Sequence, residues 1–223
     1  MSAKLEKNPP KSDVTRARIL DAAVSLFRRQ GFDATTMREI ATEAGVAIGA
    51  AYYYFESKNA IVLAFYDRSR LDMAPRLEEA LASSRDLRSR LSSLIQIKLG
   101  YFLPNRDILA ALAGRTDPAD PLSPFSEQTR SIREADIEVF ARAIAESRTK
   151  VARDLAEHLP RLLWLYQMGI ILFWIYDRSP EQRRTHQLLE SSLDLISGLI
   201  KSSSLPLIAP FRRRVVRIIE SVM

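Results

Sequence analysis

Apolar side chains recur at intervals of three and four residues along most of the chain, whereas alternating apolar and polar runs are few. Near the N-terminus, one apolar stripe lies in residues 19–27 before Gly31, and a second lies in residues 37–44 before Gly45. Glycine after such a stripe is typical of a helix C-terminus, because it adopts a left-handed backbone without steric cost. The pattern predicts an all-α chain whose first sixty residues form three short helices, the third over residues 48–55.

The second and third of these helices are separated by only a tight turn, which is the arrangement of a helix-turn-helix. Thr36 and Glu39 have the spacing of a capping box and predict the start of the second helix. Ala51 and Phe55 are four residues apart and are expected to face the core. The rest of the third helix would then present a small, uncharged surface to solvent or to a DNA groove: Ile48, Gly49, Ala50, Tyr52 and Tyr53.

The helices predicted beyond residue 57 are longer and are interrupted by prolines. Pro75 lies inside the first of them, Pro104 ends the second, and three prolines exclude a regular helix from residues 114–124. The segment from Ser179 to Gln182 has the form of a helix restart, with a cap, a proline at the first position and a capping box. Helices are predicted over residues 57–83, 85–103, 106–113, 125–146, 149–178 with a break near Pro160, 180–201 and 206–222.

The helices predicted over residues 161–178 and 180–201 are apolar around most of their circumference. This apolar surface is wider than one small core needs, and a four-helix interface between two copies of the chain would cover it. The alternative is that the C-terminal helix, residues 206–222, covers it within one chain. That last helix is basic and amphipathic, a type that can contact a membrane or nucleic acid. We expect instead a solvated charged face above an apolar docking side, and no membrane contact.

Five segments in the first quarter of the chain resemble, in order, spacing and length, the tetracycline-repressor (TetR) family of bacterial regulators. They are ARILDAAVSLF at 17–27, GFDATT at 31–36, IA at 40–41, AGV at 44–46 and GAAYYYFESK at 49–58. The other three quarters are similar to the family only in being helical and of the usual size. The resemblance implies an N-terminal arm and helix-turn-helix DNA-binding domain over residues 1–60, and a helical effector-binding and dimerisation domain over residues 61–223.

The resemblance also implies roles for residues of the helix-turn-helix. The hydroxyl or backbone N–H of Thr36 would bond a DNA phosphate, Lys58 would bind phosphate as a point charge, and Gly49 would allow close approach to DNA. Tyr52 and Tyr53 would contact phosphates and base edges. The alternatives are that Thr36 is only a helix cap and that the tyrosines only pack against the core.

Ile48 and Ala50 occupy positions at which the family often has polar residues that contact bases. Both are apolar here and would instead contact thymine methyl groups in the major groove. DNA shape or contacts from the N-terminal arm would then carry more of the specificity. A solubilising tail is the alternative role for that arm, whose basic residues are Lys4, Lys7, Lys11, Arg16 and Arg18.

Composition narrows the classes of function. The 223 residues carry a net charge of +6, but residues 1–60 hold nine Lys or Arg against seven Asp or Glu. This modest local charge argues against a DNA-organising protein, since non-specific binding depends on neutralising phosphates. The chain has no cysteine, two isolated histidines and no phosphate-loop or nucleophile motif. We therefore expect no cofactor, no metal site and no catalytic site, which argues against an enzyme that carries a DNA-binding head.

These features predict a homodimeric, ligand-responsive transcriptional repressor that binds a near-palindromic operator. A cytoplasmic location is expected, because the first residues lack the apolar core of a signal peptide and the longest apolar run, residues 162–176, is short for a membrane span. By resemblance, a small-molecule effector would bind among the helices of residues 85–178, with the stretch 114–124 at its entry. Ordinary core packing is the alternative for each residue expected to line that pocket: Gln96, Tyr101, Phe102, Phe140, Trp164, Gln167 and Met168.

Overall fold

The protein is described here by a computed structural model that covers residues 10–222. Eleven α-helices and three short 3-10 segments make up its regular structure, and no strand occurs among these residues. The predicted all-α class is therefore confirmed. The helices are α1 Lys11–Gln30, α2 Met37–Glu43, α3 Ile48–Tyr54, α4 Lys58–Ser83, α5 Leu87–Phe102, α6 Arg106–Leu112, α7 Arg130–Ala145, α8 Arg153–Ala156, α9 Leu159–Tyr176, α10 Arg183–Ser202 and α11 Ala209–Val222.

The spatial contacts between residues divide the chain into two compact units. The first contains the residues up to Arg68 together with Asp107–Gln128, and the second contains Ser69–Arg106 together with the residues from Thr129 onward. The first unit thus holds the three helices predicted for the N-terminal domain, and also most of α6 and the proline-rich stretch that follows it.

The first unit is built around α1, α2 and α3, which pack against one another in chain order. The apolar stripe of α1 and that of α2 meet in its core, where Ile19, Ala23 and Ile40 are fully buried. Gly31 and Gly45 have φ angles of +86° and +63° at the ends of α1 and α2. Both helix ends lie where the glycines predicted them, because a side chain at either position would be strained by the left-handed backbone.

The second unit is a helical bundle in which α9 packs mainly against α7, and α10 packs against α5 and α9. Its core includes leucine and isoleucine side chains that are fully buried at helical spacing: Leu87, Leu91, Ile95, Leu189 and Leu193. Pro75 lies inside α4. By length and composition alone α9 could cross a membrane, but a core helix passes the same test and a single such helix is weak evidence.

The helices predicted from residues 125 and 149 begin later in the structure, because the backbone N–H groups of Phe125 and Thr149 donate to preceding serine hydroxyls. The helix predicted from residue 125 begins only at Arg130, since the Phe125 N–H donates to the Ser123 hydroxyl and the Ser126 hydroxyl donates to the Pro121 carbonyl. The helix predicted from residue 149 begins at Arg153 as the four-residue α8. The predicted break near Pro160 is confirmed, since α8 ends at Ala156 and α9 begins at Leu159. Pro160 itself lies in the first turn of α9, where proline is tolerated.

The capping box predicted from Ser179 does not form, although the Ser179 hydroxyl does accept from the Arg184 N–H at the start of α10. A buried aspartate, Asp177, supplies the rest of this cap. Glu181 and Gln182 adopt left-handed φ angles of 53° and 52°, so α10 begins at Arg183 rather than at the proline. The Asp177 carboxylate accepts hydrogen bonds from the Ser179 N–H at 2.9 Å, the Thr185 N–H at 2.9 Å and the Thr185 hydroxyl at 2.7 Å. These three bonds satisfy the buried carboxylate, and they fix the turn in this form.

The aspartate cap predicts a pH-dependent contribution to stability. Burial alone would raise the pKa of Asp177, but its hydrogen bonds to Ser179 and Thr185 hold that pKa well below the usual value. A carboxyl group whose pKa is lower in the folded state stabilises the protein above its unfolded pKa, about 3.9, and loses this effect as the pH falls toward the folded value. Asp177→Asn should therefore lower the thermal unfolding midpoint at pH 7 by about 4 °C, and by less near pH 3.

The measurement is thermal unfolding followed by circular dichroism at both pH values. Asp194→Asn is the matched control, because Asp194 lies on α10 and pairs with Arg88 at an exposed position, where ion pairs contribute little. An Asp177→Asn midpoint equal to that of the wild type at pH 7 would contradict the assigned cap.

Candidate functional site

The start of α2 carries the capping box that the sequence predicted. The Glu39 N–H donates to the Thr36 hydroxyl oxygen at 3.2 Å, and the Thr36 N–H donates to the Glu39 carboxylate at 2.8 Å. The Thr36 hydroxyl donates to the same carboxylate at 2.9 Å. Hydrogen bonds from the Thr36 N–H and hydroxyl are the main reason that the pKa of Glu39 lies below its usual value. The role of Thr36 as a helix cap is thus confirmed.

This cap restricts how Thr36 can contact DNA. Both of its donors, the hydroxyl and the N–H, are directed at an anionic carboxylate in the structure. A phosphate would have to replace Glu39 as the acceptor of at least one of them, and the Glu39 side chain would have to rotate away. The contact between Thr36 and phosphate stays a prediction.

The turn between α2 and α3 brings the two helices together in the expected way. The Gly45 N–H donates to the Thr42 carbonyl at 3.0 Å and the Val46 N–H donates to the Ala41 carbonyl at 2.9 Å, which closes the C-terminus of α2 around the left-handed glycine. Beyond the turn, Ala51 and Phe55 are buried as predicted. α3 is therefore held with one apolar edge in the core and the opposite face outward.

The outward face of α3 is the surface that the sequence singled out. Ile48, Tyr52 and Tyr53 are exposed, the two tyrosines by 52% and 83%, so the alternative of core packing for these tyrosines is wrong. Gly49 is exposed as well, and a Cβ atom added there would meet nothing within 4 Å. No neighbour among the described residues therefore requires glycine at this position, and the close approach to DNA expected there stays a prediction. Ala50 is half-buried.

The Lys58 ammonium group makes contacts within the first unit that the sequence did not predict. Its ammonium nitrogen donates to the Phe32 carbonyl at 2.7 Å and to the Asp33 carbonyl at 3.2 Å, and it lies 4.6 Å from the centre of the Phe32 ring. An ammonium group has three N–H donors, and two are used here to hold the turn between α1 and α2. The third is available, so the predicted phosphate contact stays a prediction.

The basic residues near this surface are arranged differently from the predicted arm. Lys4 and Lys7 lie outside the described residues. Lys11, Arg16 and Arg18 belong to α1, and the Arg16 guanidinium lies 4.8 Å from the centre of the Phe55 ring. The sequence did not point to Arg38. It is exposed on α2 and makes no ion pair with any described residue. Its position beside the buried Met37 was the available signal.

Arg115, in the proline-rich stretch, was also missed. Its guanidinium pairs with Asp120 at 2.9 Å, approaches Asp33 at 3.7 Å and lies 5.3 Å from the centre of the Phe32 ring. The stretch after α6 is therefore attached to the turn between α1 and α2, the same turn that Lys58 holds. The role predicted for residues 114–124 at the entry of an effector pocket stays a prediction.

The seven residues predicted for the effector pocket fall into two groups. Phe102, Phe140, Trp164 and Gln167 are buried on α5, α7 and α9. Gln96 is exposed and donates to Glu190 at 3.2 Å, the Tyr101 hydroxyl donates to Asp72 at 2.7 Å, and Met168 is half-buried. The buried group contains one polar side chain, whose amide nitrogen has no hydrogen-bond partner among the described residues: Gln167.

A buried ion pair in the same bundle was not predicted. The Lys98 ammonium on α5 lies 2.5 Å from the Asp136 carboxylate on α7, and Lys98 itself is buried. The sequence placed Lys98 in phase with the apolar residues of α5, which was the available signal, but the partner is 38 residues away. A buried charge without a partner is strongly destabilising, so the pair fixes α5 against α7.

The second unit also contains a cavity of about 470 Å³ at the junction between α9 and α10. It is lined by residues that the sequence analysis did not single out, and none of the seven predicted effector residues is among them. The lining residues are Arg178, Ser179, Pro180, Arg183, Arg184 and Gln187. Among the described residues, no group of three or more metal-ligating side chains is positioned to hold a metal ion.

Two models of known protein families match the chain. The model for bacterial regulatory proteins of the tetR family matches residues 19–65, and the model for the tetracyclin repressor-like C-terminal domain matches residues 90–213. The HTH-type transcriptional repressor KstR2 of Rhodococcus jostii (strain RHA1) is 36% identical over 93 residues, which cover 39% of this chain and 46% of the relative. The chain spans between 34% and 49% of the length of three curated relatives.

Solved structures have the same fold. FadR of Thermus thermophilus, a TetR-family repressor crystallised with lauroyl-CoA, superposes with a TM-score of 0.60 at 24% identity and covers 85% of this chain and 95% of its own. FadR of Bacillus subtilis, crystallised with stearoyl-CoA, superposes with a TM-score of 0.63 at 16% identity and covers 85% of this chain and 99% of its own. At these identities, the similarity establishes the fold alone.

Proposed function

The chain belongs to the TetR family, since the family's C-terminal model alone matches more than half of it, and from this premise we propose that it is a ligand-responsive repressor that binds operator DNA as a homodimer. Regulators of this family are not enzymes. Residues 1–60 would bind DNA and residues 61–223 would bind the effector and dimerise. The location would be cytoplasmic, with no membrane contact.

The exposed face of α3 is the observation that carries this proposal. Tyr52 and Tyr53 are large side chains held in solvent on a short helix whose other edge is fixed in the core. They would donate to phosphates and reach base edges, while Ile48 and Ala50 contact thymine methyl groups. Gly49 would let the helix enter the groove closely. Phosphate contacts from Thr36 and Lys58 would position the head on the duplex.

The dimer would form through α9 and α10. Both helices expose large apolar side chains at helical spacing, and α11, which packs on α8, leaves them uncovered. These side chains are Leu165, Leu172, Phe173 and Tyr176 on α9, and Leu188, Leu195 and Leu199 on α10; we call them the apolar face. An isologous four-helix interface would bury this face in both copies. The two recognition helices would then enter successive major grooves about 34–36 Å apart.

The effector would be an acyl-CoA. This class is suggested by the two FadR proteins, which have this fold and were crystallised with lauroyl-CoA and stearoyl-CoA. Buried aromatic side chains of α5, α7 and α9 would surround the acyl chain. The Gln167 amide nitrogen has no hydrogen-bond partner among the described residues and would donate to a polar group of the ligand. The ligand would lower DNA affinity only as far as it binds the non-binding conformation more tightly.

The proposal predicts that the purified protein selects a near-palindromic site from a pool of random duplex DNA at near-physiological salt. The centres of the half-sites should lie one helical turn, about 10–10.5 base pairs, or a multiple of it apart. Sequencing of the bound fraction is the measurement. Binding that depends steeply on salt but enriches no sequence would support the DNA-organising alternative, because it would rest on phosphate contacts alone.

A further inference from the structure

The cavity at the junction between α9 and α10 is lined by six residues. We call it the arginine pocket. It is an open cavity of about 470 Å³, and its polar lining differs from the mostly apolar lining of usual small-molecule sites. Three of its six lining residues are arginines, Arg178, Arg183 and Arg184, and none is acidic. The lining therefore offers hydrogen-bond donors and positive charge, without a carboxylate to oppose an anion.

The three guanidinium groups are not engaged elsewhere. Among the described residues, none of these arginines forms an ion pair or a side-chain hydrogen bond, and all three are exposed. Other arginines of the same unit do have partners; Arg142 binds Glu78 through two bonds and Arg212 binds Asp154. Three unpaired guanidinium groups around one cavity repel one another, and a bound anion would remove that repulsion.

Hydrogen bonds hold the backbone of the pocket's rim, which is the stretch of chain that carries the three arginines. Asp177 ties the chain between α9 and α10 to Thr185, one residue beyond Arg184. The Arg106 guanidinium donates to the carbonyls of Ile175 and Asp177. Its central carbon lies over the Trp174 ring, 5.5 Å from the ring centre. The Ser179 hydroxyl also accepts from the Arg184 N–H at 3.1 Å. A fixed rim lowers the entropic cost of binding a ligand.

We propose that the arginine pocket binds the phosphate groups of a small-molecule ligand. Guanidinium groups form bidentate, charge-assisted hydrogen bonds with phosphate oxygens, and a pocket with three of them suits a ligand with more than one phosphate. Coenzyme A has a diphosphate and a separate phosphate on its ribose, and it is the part of an acyl-CoA that an apolar core cannot hold. The identity of the ligand rests on the proposed function, whereas the phosphate site rests on the pocket itself.

The test compares a pocket variant with a matched control. Arg183→Gln combined with Arg184→Gln removes two positive charges from the pocket, and Arg213→Gln combined with Arg217→Gln removes two from exposed, unpaired positions on α11. Calorimetric titrations at low and near-physiological salt would use lauroyl-CoA, coenzyme A, inorganic phosphate and laurate. Light scattering would give the oligomeric state of each variant.

The pocket variant should bind lauroyl-CoA and coenzyme A at least about tenfold more weakly than the wild type, since a hydrogen bond to a charged group contributes about 1.5 kcal/mol or more. The affinity of the pocket variant for laurate should change less than twofold. The affinity of the control variant should change less than twofold for every probe. Coenzyme A binding much tighter than inorganic phosphate assigns the pocket to a nucleotide-bearing ligand, and equal binding assigns it to free phosphate.

Several results would overturn the inference. Unchanged coenzyme A binding by the pocket variant would do so, and so would an equal loss of laurate binding, which indicates general damage. If the pocket variant is monomeric, the arginines instead bind acidic groups of a second copy. If weaker operator binding is its only defect, they instead contact DNA. A wild-type protein that selects an operator but binds none of the phosphate compounds overturns this inference only, whereas failure to select any operator overturns the proposed function.

Discussion

Replacing Leu195 and Leu199 together with aspartate should convert the protein from a dimer to a monomer and remove most of its affinity for the operator. The two leucines are 65% and 61% exposed in the single chain. They lie four residues apart in the C-terminal half of α10 and are the most exposed members of the apolar face on that helix. Burial of a leucine side chain stabilises an interface by about 1.5–3 kcal/mol, and an isologous interface contains each leucine twice.

The aspartates add a second penalty to the lost apolar contact. A carboxylate transferred into an apolar interface without a partner loses its hydration, which costs several kcal/mol unless it is protonated. The dimer dissociation constant should therefore rise by at least about a thousandfold, equivalent to about 4 kcal/mol. Operator affinity should fall by at least about a hundredfold, because two heads that are no longer linked bind their half-sites independently.

Light scattering over a range of protein concentrations and fluorescence anisotropy with the selected operator are the measurements. The matched control is Leu207→Asp combined with Phe211→Asp. It alters two exposed apolar residues outside the apolar face, one in the 3-10 turn before α11 and one in the first turn of α11. Circular dichroism should show unchanged helical content in both variants. If the α10 variant stays dimeric while the α11 control dissociates, the interface lies at the C-terminal helix instead.

The sequence predicted the first unit well because its signals are local. A capping box and a left-handed glycine act over three to five residues, and both Thr36 and Gly45 lie where the pattern placed them. The inward and outward faces of α3 follow from helical periodicity alone, so Ala51 is buried and Tyr53 exposed as expected. The surface proposed for DNA could thus be identified before the structure.

The features that the sequence did not predict depend on contacts between residues that helical periodicity does not relate to each other. Lys58 follows a motif that indicated a phosphate contact, yet its ammonium group is shared with carbonyls 25 and 26 residues earlier. At the start of α10, the sequence indicated Ser179 as the cap, and its hydroxyl accepts from the Arg184 N–H. The cap by Asp177 was not predicted, because periodicity does not reveal that Asp177 is buried beside Thr185 and accepts three hydrogen bonds there.

The arginine pocket shows the same limit in the second unit. Nothing in the sequence groups Arg178 with Arg183 and Arg184, because a helix beginning at Pro180 would contain only the last two. The left-handed backbone at Glu181 and Gln182 changes the direction of the chain between them. A cavity then forms from residues that helical periodicity had not grouped together.

Tyr53→Ala should weaken operator binding by about a hundredfold while leaving the dimer and the helical content intact. The Tyr53 side chain is 83% exposed, and its one ring contact is edge-on with Tyr54 at 5.1 Å. Its removal therefore costs little folding stability. A hydrogen bond from the hydroxyl to a phosphate contributes about 1.5 kcal/mol, or about tenfold in affinity, and the dimer loses it at both half-sites.

Tyr53→Phe separates the hydroxyl from the ring. If Tyr53 acts through a phosphate, the phenylalanine variant should lose nearly as much affinity as the alanine variant, and the salt dependence of binding should change little, since a neutral donor releases no counterion. If the ring instead packs on a thymine methyl group or sugar, Tyr53→Phe should bind like the wild type and only Tyr53→Ala should weaken. Tyr54→Phe is the control, because Tyr54 is half-buried at the end of α3 and has no proposed DNA contact. Operator affinity that stays the same in both Tyr53 variants would remove this residue from the DNA-binding surface and leave Tyr52 as the tyrosine to test on that face.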